Sequence, residues 1–198
     1  MRYCRILVFA LVGLTFVVVG SGCGAQGERR PYANDGEQFR DIRKAEAAFR
    51  RGMESVAKDP QDAETWFRRA LTLDLYHGPA HNNLGVLLLD QGKFYDAAEE
   101  FEWARKLMPG NPEPRTNLAV VLEKVGHTQE ALQAAKAAIE ISPGNLQAVQ
   151  TLAYLHIEHG LRDEQTEDLL RTIVFRADDP IWATWARRLL AKKDGVTD

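Results

Sequence analysis

Residues 78–111 read GPAHNNLGVLLLDQGKFYDAAEEFEWARKLMPGN, and residues 112–145 read PEPRTNLAVVLEKVGHTQEALQAAKAAIEISPGN. Laid one over the other, they agree at a constant offset of 34 residues. Leu84 and Gly85 fall on Leu118 and Ala119, Leu88 on Leu122, Gly92 on Gly126, Ala97 on Ala131, Ala104 on Ala138 and Pro109 on Pro143. The spacing within each stretch is helical. Leu84, Val86, Leu87 and Leu88 give a first helix its apolar stripe, and Gly92 and Gly126 stand where a helix closes on a C-terminal glycine. Ala97, Phe101 and Ala104, spaced 4 and 3, make the facing side of a second helix. Pro109 and Pro143 then forbid continuation. One such hairpin cannot bury its apolar face alone, so neighbouring hairpins have to stack.

Outward from this core the register weakens in both directions. Residues 146–179 keep Leu152, Ala153 and Gly160 in step, then place Gln165 and Thr172 where alanines stood. Residues 44–77 keep Ala63, Phe67 and Ala70 at second-helix positions, behind a divergent first helix. Asp59-Pro60 and Asp179-Pro180 each read as an N-cap followed by proline at the first helical position. Beyond Pro180, Ile181, Trp182, Trp185 and Leu189 share one face, and Arg187, Arg188, Lys192 and Lys193 lie toward the helix C-terminus, where the dipole favours cations. This last segment, 180–198, reads as a capping helix and tail that seal the final repeat face. The rival reading makes Trp182 and Trp185 an exposed anchor for another protein.

Leu84, Gly85, Gly92, Ala97, Phe101, Ala104 and Pro109 resemble the tetratricopeptide repeat, a 34-residue helix–turn–helix unit. His81 and Leu88 depart from it, standing where the family carries Trp and Tyr, and the second unit has Ala119 for Gly and Ala135 for Phe. The resemblance implies an all-α fold, a right-handed α–α superhelix with a C-terminal capping helix. The array would occupy 41–179, with a divergent repeat at 44–77, repeats at 78–111 and 112–145, and a degenerate repeat at 146–179. It further implies that first helices line a concave groove that binds a protein or an extended peptide. Carried over position by position, that groove comprises Asn82, Asn83, Val86, Leu89 and Asp90, then Thr116, Asn117, Val120, Glu123 and Lys124, then Gln150, Thr151, Tyr154, Ile157 and Glu158. Side-chain amides such as Asn83 and Asn117 can pair with a ligand's backbone whatever its sequence. They can equally tie helix pairs to one another. Only Lys124 could serve a clamp for a terminal carboxylate, so that specialised role is not expected.

Composition narrows the function. With 25 Lys+Arg against 28 Asp+Glu, a net charge of -3 and a pI near 6.0, the chain has no basic stripe for nucleic acid. His156 and His159 flank Glu158, but the five-residue zinc-protease pattern is absent, so no metal and no cofactor are expected. Glu99-Glu100 reads as hydrated surface. Nucleophile elbows and phosphate loops are missing, and the expectation is a binding scaffold and not an enzyme. An accessory subunit of a cell-wall enzyme and a structural spacer are the alternatives.

The N-terminus reads as an address. Arg2 and Arg5 precede an apolar run from Ile6 to Val19, and Gly20-Ser21-Gly22-Cys23 follows. Charged start, short apolar core and small-residue site make a secretory signal over 1–22. The last four residues resemble a bacterial lipobox, with Gly20 in place of the usual aliphatic residue, which implies lipidation of Cys23. An uncleaved anchor and an ordinary cleaved signal are the competing readings. Residues 23–40 then form a lipidated tether, and the expected location is the bacterial envelope, on the periplasmic or outer-membrane side. Gly22, Gly24 and Gly27 also spell a dinucleotide-binding pattern, but no amphipathic helix follows to present its N-terminus to phosphate. Radiolabelled palmitate is expected to enter the wild-type chain and not Cys23→Ala; equal labelling of both would remove the lipid anchor.

Overall fold

The computed structural model describes residues 40–193, so the signal segment, Cys23, nearly all of the tether and the tail from 194 lie outside the described residues. Nine helices and no strand occur among the described residues: α1 (Ile42–Ser55), α2 (Pro60–Leu73), α3 (Gly78–Asp90), α4 (Phe94–Leu107), α5 (Glu113–Lys124), α6 (Thr128–Ile141), α7 (Leu146–Glu158), α8 (Glu164–Arg176) and α9 (Pro180–Lys193). They form four hairpins, α1/α2 to α7/α8, stacked in chain order and closed by α9.

The 34-residue period appears first in the backbone at helix ends. Position 77 and its successors cap the first helix of each following unit: His77 Nδ1 accepts from Ala80 N at 3.1 Å, and Asn145 Oδ1 accepts from Ala148 N at 2.8 Å. Asn111 Oδ1 accepts from Glu113 N at 3.0 Å and Asp179 Oδ1 from Ile181 N at 2.8 Å. Three different residue types do one job, since each supplies an acceptor to an otherwise orphaned N–H. Asp59 caps α2 as expected, accepting from Gln61 N and Asp62 N ahead of the Pro60 turn.

The other end of each first helix closes on glycine. Gly92, Gly126 and Gly160 have φ of 74°, 82° and 73°, a left-handed conformation that a Cβ disfavours. Around each, two bonds repeat: Lys93 N donates to Leu88 O at 2.9 Å and Gly92 N to Leu89 O at 3.0 Å, with His127/Gly126 and Leu161/Gly160 doing the same. The first hairpin lacks this device. It turns through Val56–Asp59 with bonds back to Ser55 O, which accounts for its divergence from the repeat.

Inside the hairpins, helices cross where a side chain is missing. A Cβ on Gly85 would lie 2.6 Å from the Phe101 ring, and one on Gly52 would lie 2.5 Å from Phe67. Both rings are fully buried. Gly52 was not legible as the partner of Gly85, because it stands 33 residues before it and not 34. In the third hairpin the exchange is reciprocal. Ala119 adds a methyl where Ala135 removes a ring, and both are fully buried in one cluster with Ala131, Leu132, Leu152 and Leu155.

The terminal helix seals the array. Ala186 of α9 joins Val149 and Ala153 of α7 and Leu170 and Ile173 of α8, with Trp182, Trp185 and Leu189 packed against them. The indoles meet edge to face, 5.3 Å apart at 84°. Ile181 departs from the shared face expected of it and is 75% exposed, because it sits one residue past the buried stripe. Arg187 occupies the step that holds Gly85, Ala119 and Ala153 in earlier units, and it is exposed. Phe101→Ala is expected to cost about 3–5 kcal/mol in urea unfolding; a loss below about 1 kcal/mol would mean that the ring does not hold the crossing.

Candidate functional site

The concave face is built from first helices, whose side chains recur along the stack one unit at a time. Asn83, Asn117 and Thr151 form one row, half-buried throughout. Val86 and Val120, both half-buried, and Tyr154, 42% exposed, form a second. Asp90, Lys124 and Glu158 form a third, fully exposed and alternating in charge. Leu89, Glu123 and Ile157 lie partly buried beside them, as does Gln150.

Two expected groove residues are withdrawn from solvent. Thr116 is fully buried, its hydroxyl donating to Pro112 O at 3.0 Å within its own helix. Asn82 is 7% exposed and its Oδ1 accepts from Asn117 Nδ2 at 3.1 Å. These two positions face the neighbouring helix and not a ligand, one residue round from the lining. The amides thus divide their work. Asn82 ties α3 to α5. Asn83 donates through Nδ2 to Pro79 O at 2.9 Å, which leaves its Oδ1 available, and Asn117 keeps its own Oδ1 free by the same logic. The rim presents acceptors along an apolar floor.

Polar residues that looked peripheral turn out to be internal. His81 is fully buried: Nδ1 lies 2.6 Å from Glu100 Oε2, Nε2 donates to Leu75 O at 2.8 Å, and the ring stacks on Trp103 at 5.5 Å. Glu100 is therefore buried, at 4% exposure, and not hydrated surface; it bonds the histidine that replaces an aromatic residue. Its neighbour Glu99 stays exposed, with its carboxyl pushed up by desolvation and by the Glu100 charge. His156 is buried against Thr166 Oγ1 at 2.8 Å. Thr166 gives its own proton to Asp163 at 2.7 Å, so His156 donates through Nδ1 and is neutral. Burial pushes its imidazole below the ordinary value, against the opposing pull of Asp163. His159 instead bridges to Glu123 of α5 at 2.9 Å, joining two first helices. The expected His156/His159 pair therefore splits between a core bond and an inter-unit bond. Among the described residues no three His, Cys, Asp or Glu side chains are placed to hold a metal ion. No helix among the described residues is long and apolar enough to cross a membrane.

Residues 82–145 match the family model of the tetratricopeptide repeat. The fold is a tetratricopeptide-repeat superhelix. The repeat region of a Thermobaculum terrenum O-GlcNAc transferase mutant overlays it with a TM-score of 0.64 and 24% identity, covering 72% of this chain and 28% of that one. The first TPR of Spaghetti (RPAP3), solved with the HSP90 peptide SRMEEVD, overlays with a TM-score of 0.59 and 16% identity, covering 63% of this chain and 99% of that domain. In sequence, the human protein O-mannosyl-transferase TMTC1 is 25% identical over 118 residues, which is 60% of this chain but only 13% of that protein. The likeness to both transferases is thus confined to their repeat-bearing parts.

The superhelix adds a rung that the sequence reading did not assign. Stepping 34 residues on from Thr151, Tyr154 and Glu158 lands on Trp185, Arg188 and Lys192 of α9. Their burial follows suit, half-buried for Trp185 and exposed for the two cations. The signal was present in the period itself, masked by the loss of matching second-helix residues after 160. Asn82→Ala is expected to cost about 1–3 kcal/mol in thermal or urea unfolding, because it strands the Asn117 amide. Asn83→Ala should stay within about 0.5 kcal/mol of wild type; the opposite order would reverse the division between tie and lining.

Proposed function

We propose that this chain is a membrane-tethered scaffold of the bacterial cell envelope, holding a protein or an extended peptide against the concave face of its repeats. The observation that carries the reading is the three-row ladder: half-exposed amides with free acceptor oxygens, an apolar line of Val86, Val120 and Tyr154, and an outer charged edge of Asp90, Lys124 and Glu158. Parallel repetition suits an extended segment, whose own backbone donors and side chains recur along its length. The similarity to a repeat domain solved with a bound peptide is consistent with this use of the face.

Tethering supports the same reading from the other end of the chain. A signal ending in Gly20-Ser21-Gly22-Cys23 would place a lipid on the first mature residue. The tether, roughly 20 Å in r.m.s. span for thirteen flexible residues, would then hold the array near one membrane. Confinement raises the effective concentration of any partner in that layer and so makes a modest affinity sufficient.

Photo-crosslinking amino acids placed at Val120 and Tyr154, with Lys136 on the opposite side as control, test the assignment in cells. The expected result is one or more discrete adducts from the two groove positions, in the membrane fraction, with none from Lys136. Adducts that form equally from Lys136, or only from it, would move the binding surface off the concave face.

A further inference from the structure

We infer that the C-terminal rung of the groove, on α9, is a subsite for carboxylates, so that the scaffold takes an extended segment whose acidic and apolar side chains alternate. The inference rests on the concave face being the binding surface and specifies what its last unit recognises.

Three observations carry it. First, α9 presents a face that repeats the groove lining, with Trp185 in the amide row, Arg188 in the Val86/Val120/Tyr154 row and Lys192 in the Asp90/Lys124/Glu158 row. Second, this face holds an open cavity of about 580 Å³, lined by Ile181, Thr184, Trp185, Arg188, Leu189 and Lys192. The other cavities lie off the ladder, one between α4 and α6 and another between α8 and α9. Third, neither Arg188 nor Lys192 makes an ion pair among the described residues, although Glu158 stands one rung away.

The chemistry follows from these side chains. Arg188 and Lys192 lie one helical turn apart on the same side, so they present two cationic groups to one short stretch of chain. A guanidinium meets a carboxylate through two parallel N–H bonds, which fixes orientation as well as charge. Ile181, 75% exposed, and the open part of the Trp185 ring give an apolar side chain somewhere to lie between them. The rungs before α9 are not cationic: Asp90, Glu123 and Glu158 outnumber Lys124. Positive charge is confined to the last rung, which gives the groove a direction as well as a preference. An acidic-apolar segment therefore matches this end by charge complementarity. Side-chain carboxylates and a chain-terminal carboxylate supply the same group.

The test uses the full-length chain in detergent and three fluorescein-labelled octapeptides. One alternates glutamate and leucine and is C-terminally amidated; the second has the same sequence with a free carboxylate; the third has lysine in place of glutamate. Fluorescence anisotropy is expected to show at least one acidic peptide bound about tenfold or more tighter than the lysine peptide, with the Arg188→Glu/Lys192→Glu variant reversing that order. Binding of both acidic peptides assigns the subsite to side-chain carboxylates; binding of the free-ended one alone assigns it to a chain terminus. Equal binding of acidic and lysine peptides, no binding of any peptide, or no response to the double variant would overturn the inference. A Val120→Arg variant separates the two levels. If it weakens the acidic peptide while the double variant does not, the groove stands and the α9 subsite falls; if neither changes binding, both fall. Self-association of the wild type that the double variant abolishes, or Ile181-dependent binding to vesicles containing phosphatidylserine, would reassign the face to a second copy or to a lipid surface and would also overturn it.

Discussion

Everything in this array depends on how closely two helices of a hairpin can approach. At Gly52 and Gly85 there is no room for a methyl group, because Phe67 and Phe101 fill the crossing from the opposite helix. The ring supplies the buried area and the glycine supplies the space. When one partner changes, the other has to change with it, as at Ala119 and Ala135. Fixing that distance fixes the thickness of each hairpin, and stacking hairpins of equal thickness brings the first helices into parallel rows. The rows of the concave face are thus a by-product of a packing rule applied on the inner side of the same helices.

Polar chemistry follows the same geometry. An amide, a carboxylate or an imidazole placed on the crossing side is absorbed into the structure, and one placed a residue further round remains at the surface. Asn82 and Asn83 are adjacent in sequence and fall on opposite sides of this line. So do Glu99 and Glu100, the latter held by His81 beneath Trp103. A buried polar group is tolerated here because each has a partner supplied by a neighbouring element.

Periodicity and composition made much of this legible in advance. The helix pairs, the closing glycines, the Asp59 and Asp179 caps and the sealing role of the terminal helix all followed from spacing and from residue types with one dominant use. What escaped was set by angle and not by identity. Gly52 stands one residue out of register, so offset matching passes over it. Thr116 and Asn82 were assigned to the groove by repeat position, yet about a hundred degrees of helical rotation per residue decides between lining and tie. Glu100 gave no sign of burial, since its histidine partner lies 19 residues away across a turn.

Arg187 has a consequence for the assembly as a whole. Solenoids grow by adding identical layers, and nothing in a stacked hairpin intrinsically limits their number. A long cationic side chain at the step where Gly85, Ala119 and Ala153 admit a neighbour makes the next layer sterically and electrostatically unwelcome. It therefore acts as a terminator of polymerisation, guarding one end of the stack against fibre-like growth by copies of itself.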